Sequence, residues 1–131
     1  MTKYDVTSLL QHWLEGADYD WEVAQALFKS KKYPYSLFLC HLSLEKILKA
    51  LITKKTKDHP PYTHNLSYLA GKLEVKFSKE QLQLLSEMNE FNMEARYPDE
   101  KKSFYEKANG NFTKKYIKES KILREWLKKQ L

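Results

Sequence analysis

The chain has 131 residues, 42% of them hydrophobic, with nine Tyr, six Phe and three Trp. That length suits one domain over residues 1–131, and the apolar fraction closes a modest core, so a disordered chain is excluded. Its formal net charge of +6 rests on lysine, with arginine only at Arg96 and Arg124. Such a surface is compatible with RNA, nucleotides or an acidic protein and selects none of them.

Three Gly and four Pro in the whole chain favour long helices over strands and turns. The first segment, about Asp5 to Phe28, repeats apolar residues at Val6, Leu9, Leu10, Trp13, Ala17, Trp21, Ala24 and Phe28. Those three- and four-residue steps mark one helical face, which Gly16 weakens or bends. Ser30 to Pro34 breaks the helix, and Pro34 fits the first turn of the next.

The second helix runs from about Pro34 to Thr53 and is apolar nearly all round, as a central, buried helix is. Its polar exceptions His41, Glu45 and Lys49 are spaced four apart and share one stripe. Cys40 lies in this run as the only cysteine; a disulfide within the chain and a cysteine-rich zinc site are therefore excluded, and an inert core thiol is expected.

Lys54 to Thr63 reads as a polar linker, closed to helix by Pro60 and Pro61. A short helix follows over Asn65 to Lys72. Ser78 and Gln81 fit a capping box, with Phe77 and Leu82 as its hydrophobic staple. This fourth helix is expected to carry Leu82, Leu85, Met88, Phe91 and Ala95 inward and to end near Arg96, because Pro98 disfavours helical geometry at Tyr97. Between Pro98 and Gly110 the pattern suggests a turn or two over Ser103 to Ala108. The last helix spans about Asn111 to Lys129, with Tyr116, Ser120, Leu123 and Leu127 inside. The sum is an all-α fold, an up-and-down antiparallel bundle of four to five helices.

Two constellations and one lone histidine could carry chemistry. His41, Glu45 and Lys49 are either a polar stripe on a packed helix, or a subunit contact, or the wall of a pocket facing a nucleotide; Glu45 before Lys49 is the favourable ion-pair order. Asn92 lies one helical turn before Arg96, so both can face one cleft. The planar fork of Arg96 suits a phosphate, and Tyr97 offers a stacking ring; alternatively, Arg96 complements a helix C-terminus or pairs with Asp99. His64 reads either as part of a helix start or as a functional imidazole. The four histidines have no metal-ligand spacing, so no metal and no cofactor is assigned. The lysines of the last helix read as a solvated face. No apolar run spans a bilayer and the N-terminus is unlike a signal peptide, so a cytoplasmic protein is expected, with no membrane partner.

Three stretches together resemble the HEPN domain family: Tyr33-Pro34-Tyr35 followed by His41-Leu42-Ser43-Leu44-Glu45-Lys46-Ile47-Leu48-Lys49-Ala50-Leu51, then Thr63-His64-Asn65-Leu66 with Leu69, then Ala95-Arg96-Tyr97-Pro98-Asp99. The resemblance covers about Asp18 to the C-terminus. It implies a helical bundle, usually a homodimer, often paired with a small nucleotidyltransferase as toxin and antitoxin. Some members are metal-independent endoribonucleases with an Arg followed, after four to six residues, by a His. Arg96 matches that Arg, but Lys101, Lys102 and Ser103 stand where the His belongs, and no His follows His64. A lysine is a poor general base at neutral pH unless buried. The expectation is therefore a non-catalytic module that binds a nucleotide, RNA or a nucleotidyltransferase through Asn92, Arg96 and Tyr97, with His41, Glu45 and Lys49 as a weaker second set. The alternatives are a divergent ribonuclease centred on Arg96, with His41 or His64 supplying the imidazole, and a purely structural subunit.

Overall fold

A computed structural model describes the backbone of residues 1–131 and the side chains of all but residue 95. Six α-helices form: α1 Lys3–Lys29, α2 Tyr33–Thr56, α3 Leu66–Gly71, α4 Lys79–Met88, α5 Pro98–Lys107 and α6 Gly110–Lys128. The long helices α1, α2 and α6, with α4, make an up-and-down bundle, and α3 and α5 lie in its two longer connections. The count exceeds the four or five expected because Pro98 to Lys107 forms a full helix. Pro98 opens it with a preset φ, and Asp99 and Glu100 place negative charge in its first turn.

α1 and α2 form an antiparallel hairpin, and the bonds between them fix its register. Ser36 Oγ donates to the carbonyl of Ala24 at 2.7 Å, and Ser43 Oγ to that of Ala17 at 2.8 Å. α1 is continuous through Gly16. A methyl group there would lie 3.1 Å from the Lys46 stem, which passes on its way to an ion pair with Asp20 at 2.7 Å. The glycine therefore makes room for a neighbour and does not break the helix.

α2 is the central helix, with Leu37, Leu44, Ile47 and Leu48 wholly buried. α6 runs beside it in the same direction and presents Tyr116, Ser120, Leu123 and Leu127 inward, as its spacing predicts. Cys40 is wholly buried, and burial pushes its thiol up to about 12. Exposed lysines, Lys114, Lys115, Lys118 and Lys121, cover the outer face of α6.

α4 begins as expected. Ser78 Oγ accepts from the Gln81 amide at 3.1 Å, and the Gln81 side chain accepts from the Ser78 amide at 2.9 Å. The staple differs: Leu82 is exposed, and Phe77 packs on Trp126 with ring centres 5.5 Å apart. Leu84, Leu85 and Met88 are buried instead. α4 also stops at Met88, well short of Arg96, and two 3-10 turns follow, Asn89–Phe91 and Met93–Ala95. Asn92 Oδ1 accepts from the Glu94 amide two residues on, a local side-chain-to-backbone bond of the kind that competes with helix, while Asn89 Oδ1 is taken by the distant Leu66 amide. Ala95, also expected inward, lies outside the described side chains.

Candidate functional site

Phe91 anchors the segment between α4 and α5. Its ring stacks on Phe104 at 5.4 Å and meets Tyr116 edge-on at 4.9 Å, so it is tied to both α5 and α6. Arg96 follows in extended conformation and lays its guanidinium over the Phe104 ring at 4.8 Å, a cation–π contact. Its Nε is buried without a partner, and among the described residues no salt bridge joins it to Asp99. Because α4 ends at Met88, the helix-dipole reading of Arg96 is also set aside.

Asn92 and Arg96 nevertheless meet, by a route the sequence did not suggest. They line one open depression together with Ser86, Asn89, Glu90 and Glu100. Asn92 is buried and accepts from the Glu94 amide at 3.0 Å through its Oδ1, which leaves its amide N–H₂ and the second lone pair of Oδ1 for a ligand. Tyr97, next to Arg96, is 75% exposed. Glu90 and Glu100 set two exposed carboxylates against the one guanidinium, a charge balance that sequence spacing did not reveal.

The second set lies inside the protein. His41, Glu45 and Lys49 are all buried, and Glu45 is their centre. Lys49 Nζ donates to Glu45 Oε2 at 3.0 Å and sits over the Trp13 ring at 5.2 Å. His41 does not bond Glu45 as its spacing allowed. Its Nε2 lies 3.1 Å from the carbonyl oxygen of His64, so Nε2 carries the hydrogen. Nδ1, 3.9 Å from Glu45 Oε1, then points a lone pair at a carboxylate. This is a neutral imidazole and not an ion pair, because burial pushes His41 down to about 4.

The partner that Glu45 takes is His64, a residue its own neighbours marked as a helix start. Its Nδ1 lies 2.9 Å from Oε1 and 3.1 Å from Oε2. A carboxylate only accepts, so His64 Nδ1 donates. In the neutral ring Nε2 is then an acceptor, and the side chain is 52% exposed. One signal for this pair existed in the sequence: a carboxylate on an otherwise apolar helix needs more than one donor.

Asn89 joins the two sites. Its Oδ1 accepts from the Leu66 amide at 2.7 Å, and its Nδ2 donates to Asn65 Oδ1 and Ser67 Oγ, both at 3.2 Å. Asn65 follows His64 directly, and Asn89 lines the Arg96 depression. The two stations are therefore one side chain apart.

Sequence reasoning passed over Arg124. It is buried, donates from Nε to Ser43 Oγ at 3.1 Å, pairs with Asp18 and lies over the Trp21 ring at 5.1 Å. It locks α6 to the α1–α2 hairpin. Its place beside Leu123 and Leu127, on the inner face of the last helix, was the available clue. Among the described residues no three His, Cys, Asp or Glu side chains gather as a metal site, and no helix is long and apolar enough to cross a membrane.

A crystal structure of TT1696 from Thermus thermophilus superposes on this fold with a TM-score of 0.80 at 16% identity, covering 93% of this chain and 98% of that one; the likeness is one of fold. No curated protein matches the chain. Its sequence matches the HEPN domain over residues 10–130, a span that takes in both stations and the buried arginine, and on that match the chain belongs to the HEPN domain family.

Proposed function

We propose that this chain is a HEPN module that binds single-stranded RNA or a nucleotide at the depression around Arg96, in the cytoplasm. One observation carries the reading: Arg96 is held on Phe104 beside the exposed ring of Tyr97. A fixed guanidinium next to a free aromatic ring suits a phosphate and the base attached to it. The charge balance refines the choice of ligand. Glu90 and Glu100 on the same rim disfavour a triphosphate and tolerate the single charge of a phosphodiester, so a strand of RNA is preferred over a nucleoside triphosphate. His41, Glu45 and Lys49 do not touch the ligand in this reading; buried as they are, they hold the segment that carries His64. Binding of a labelled twelve-nucleotide RNA, followed by fluorescence anisotropy, tests the proposal. Arg96→Ala should weaken it roughly tenfold, the size of one charged hydrogen bond. Unchanged affinity in that variant removes Arg96 from the function.

A second reading is a protein contact, with a small nucleotidyltransferase in a toxin–antitoxin-type system or with a second copy of the chain. It is favoured by Tyr35 and Tyr105, both exposed, whose rings lie 6.4 Å apart between α2 and α5. Exposed tyrosines are enriched at the centres of protein interfaces. Light scattering of the free protein, and co-purification with a co-expressed nucleotidyltransferase, should both respond to Tyr105→Ser. A variant that still dimerises and still co-purifies excludes this face. A ribonuclease with a divergent active site is a third reading, and the Glu45–His64 pair favours it.

A further inference from the structure

We infer that the Arg96 depression selects a guanine base, with the carboxylates of Glu90 and Glu100 accepting hydrogen bonds from its Watson–Crick edge and the Asn92 amide donating to its O6. The inference rests on the RNA-binding reading above and adds a base preference to it.

The two acids reach the depression from different elements. Glu90 lies in the 3-10 turn Asn89–Phe91, and Glu100 in the first turn of α5. Both are exposed, and both line the depression with Arg96. Among the described residues neither forms a salt bridge, with Arg96 or with any lysine. The guanidinium rests on the Phe104 ring instead. Asn92 is oriented by the bond that its Oδ1 accepts from the Glu94 amide, and among the described residues no hydrogen bond engages its N–H₂. An open depression of about 490 Å³, within the size of small-ligand sites, therefore offers one cation, two unpaired carboxylates and a carboxamide donor.

A carboxylate beside a phosphate-binding guanidinium works against the charge of the ligand. It favours binding only where the ligand brings donors to it, because an ionised carboxylate accepts and never donates. The sugar–phosphate backbone of RNA offers one donor per nucleotide, the 2′-hydroxyl, so further donors must come from the base. Bases splayed out of single strands are recognised on their Watson–Crick edges. Adenine presents N6–H₂ next to the bare N1, and cytosine N4–H₂ next to N3 and O2. Uracil presents a single N3–H between two carbonyls. Each of those edges sets a lone pair against a carboxylate. Guanine alone places N1–H and N2–H₂ side by side. Those three N–H bonds are enough for both carboxylates, and O6 lies next to them for the Asn92 amide. Glu90 and Glu100 thus lower affinity for strands in general, and the guanine contacts offset that loss for one base, which is how a repulsive group creates specificity.

The test uses the full chain and a labelled twelve-nucleotide RNA of adenosines with one variable nucleotide at its centre, and binding is followed by anisotropy. Guanosine at that position should bind at least ~5-fold more tightly than adenosine, the lower end for one bidentate base contact. Inosine, which lacks N2–H₂, should lose most of that advantage, and 7-deazaguanosine, which keeps the whole edge, should match guanosine. Guanosine monophosphate in excess should displace the strand better than adenosine monophosphate does. Asn92→Asp keeps the bond to the Glu94 amide and sets an acceptor against O6, so its preference for guanosine should fall. Glu90→Gln and Glu100→Gln combined should bind the guanosine and inosine strands alike, whatever the lost charge does to affinity for both, because a carboxamide has one acceptor oxygen where a carboxylate has two. Circular dichroism confirms that each variant is folded. Wild-type protein that binds the guanosine and adenosine strands equally overturns the guanine preference and leaves the RNA-binding reading standing. Equal binding of the guanosine and inosine strands by the wild type, or undiminished discrimination between them by the combined variant, has the same meaning. Absence of RNA binding overturns both.

Discussion

Asn89 and Leu66 meet across 23 positions of sequence through a 2.7 Å hydrogen bond from the Leu66 amide to the Asn89 carboxamide oxygen. That bond satisfies the first N–H of α3, and the same side chain donates to Asn65 and Ser67. The start of α3 and the turn after α4 are therefore one unit, and that unit sets the spacing between His64 and Arg96. Asn89→Ala should destabilise the fold by about 1–2 kcal/mol, the cost of an orphaned partly buried donor. Asn89→Asp keeps the acceptor for Leu66 and loses the donor, so it should fall between the wild type and Asn89→Ala in urea unfolding. Equal stability of all three proteins would show that the unit is not built on this side chain.

Arg124 makes a second prediction. Arg124→Ala removes the bond to Ser43, the pair with Asp18 and the cover over Trp21. A buried pair that loses one partner costs about 3–5 kcal/mol, and Asp18 is half exposed, which lowers the charge contribution. A loss of about 2 kcal/mol in denaturant unfolding is expected. Arg124→Lys should recover little of it, because an ammonium reproduces neither the fork nor the stacking.

His41 makes stability depend on pH. Its imidazole is neutral in the fold and held down to about 4 by burial, against about 6.5 in an unfolded chain. Between those two values the unfolded chain binds more protons. The stability associated with neutral His41 is therefore complete above about pH 6.5 and drains away as pH falls toward 4, by roughly 3 kcal/mol in all. Urea midpoints measured across that window should drop in the wild type and drop less in His41→Gln. Parallel curves would remove His41 from the acid response.

The rim carboxylates separate the two binding readings. Replacing Glu90 and Glu100 by Gln leaves Arg96 as the formal charge of the depression. RNA affinity should rise several-fold at low salt, and the gain should shrink as salt is added. A protein partner that places cations against this rim should bind the same variant more weakly.

Lys57 closes α2 with φ at 61°, in the left-handed region where a side chain is strained. Glycine adopts that conformation freely at the end of a helix. Lys57→Gly should raise stability by about 1 kcal/mol, visible as a small increase in Tm.

Much of this fold is legible in the sequence because the signals are local. The three- and four-residue steps of α1 and α6, the all-round apolar surface of α2 and the capping box at Ser78 each lie within a few turns of chain. What the sequence concealed depends on distant partners. α4 stops at Met88 while Asn89 bonds an amide 23 residues back. Glu45 chose His64, 19 residues away, over His41 on its own stripe. Arg124 acts through Ser43, 81 residues earlier. The pairing of Asn92 with Arg96 was reached for a mistaken reason: no helical turn joins them, and two 3-10 turns and the Phe91 anchor bring them to one depression.

Cys40 has a practical consequence. It is the only thiol in the chain, it is wholly buried, and it stays protonated at neutral pH. A maleimide or disulfide reagent should leave the native protein untouched and label it only when the α2–α6 seam opens, because the thiolate is the reacting form. The natural sequence thus carries a silent clock for global opening. Any surface position changed to cysteine can also take a fluorophore alone, without first removing a competing thiol.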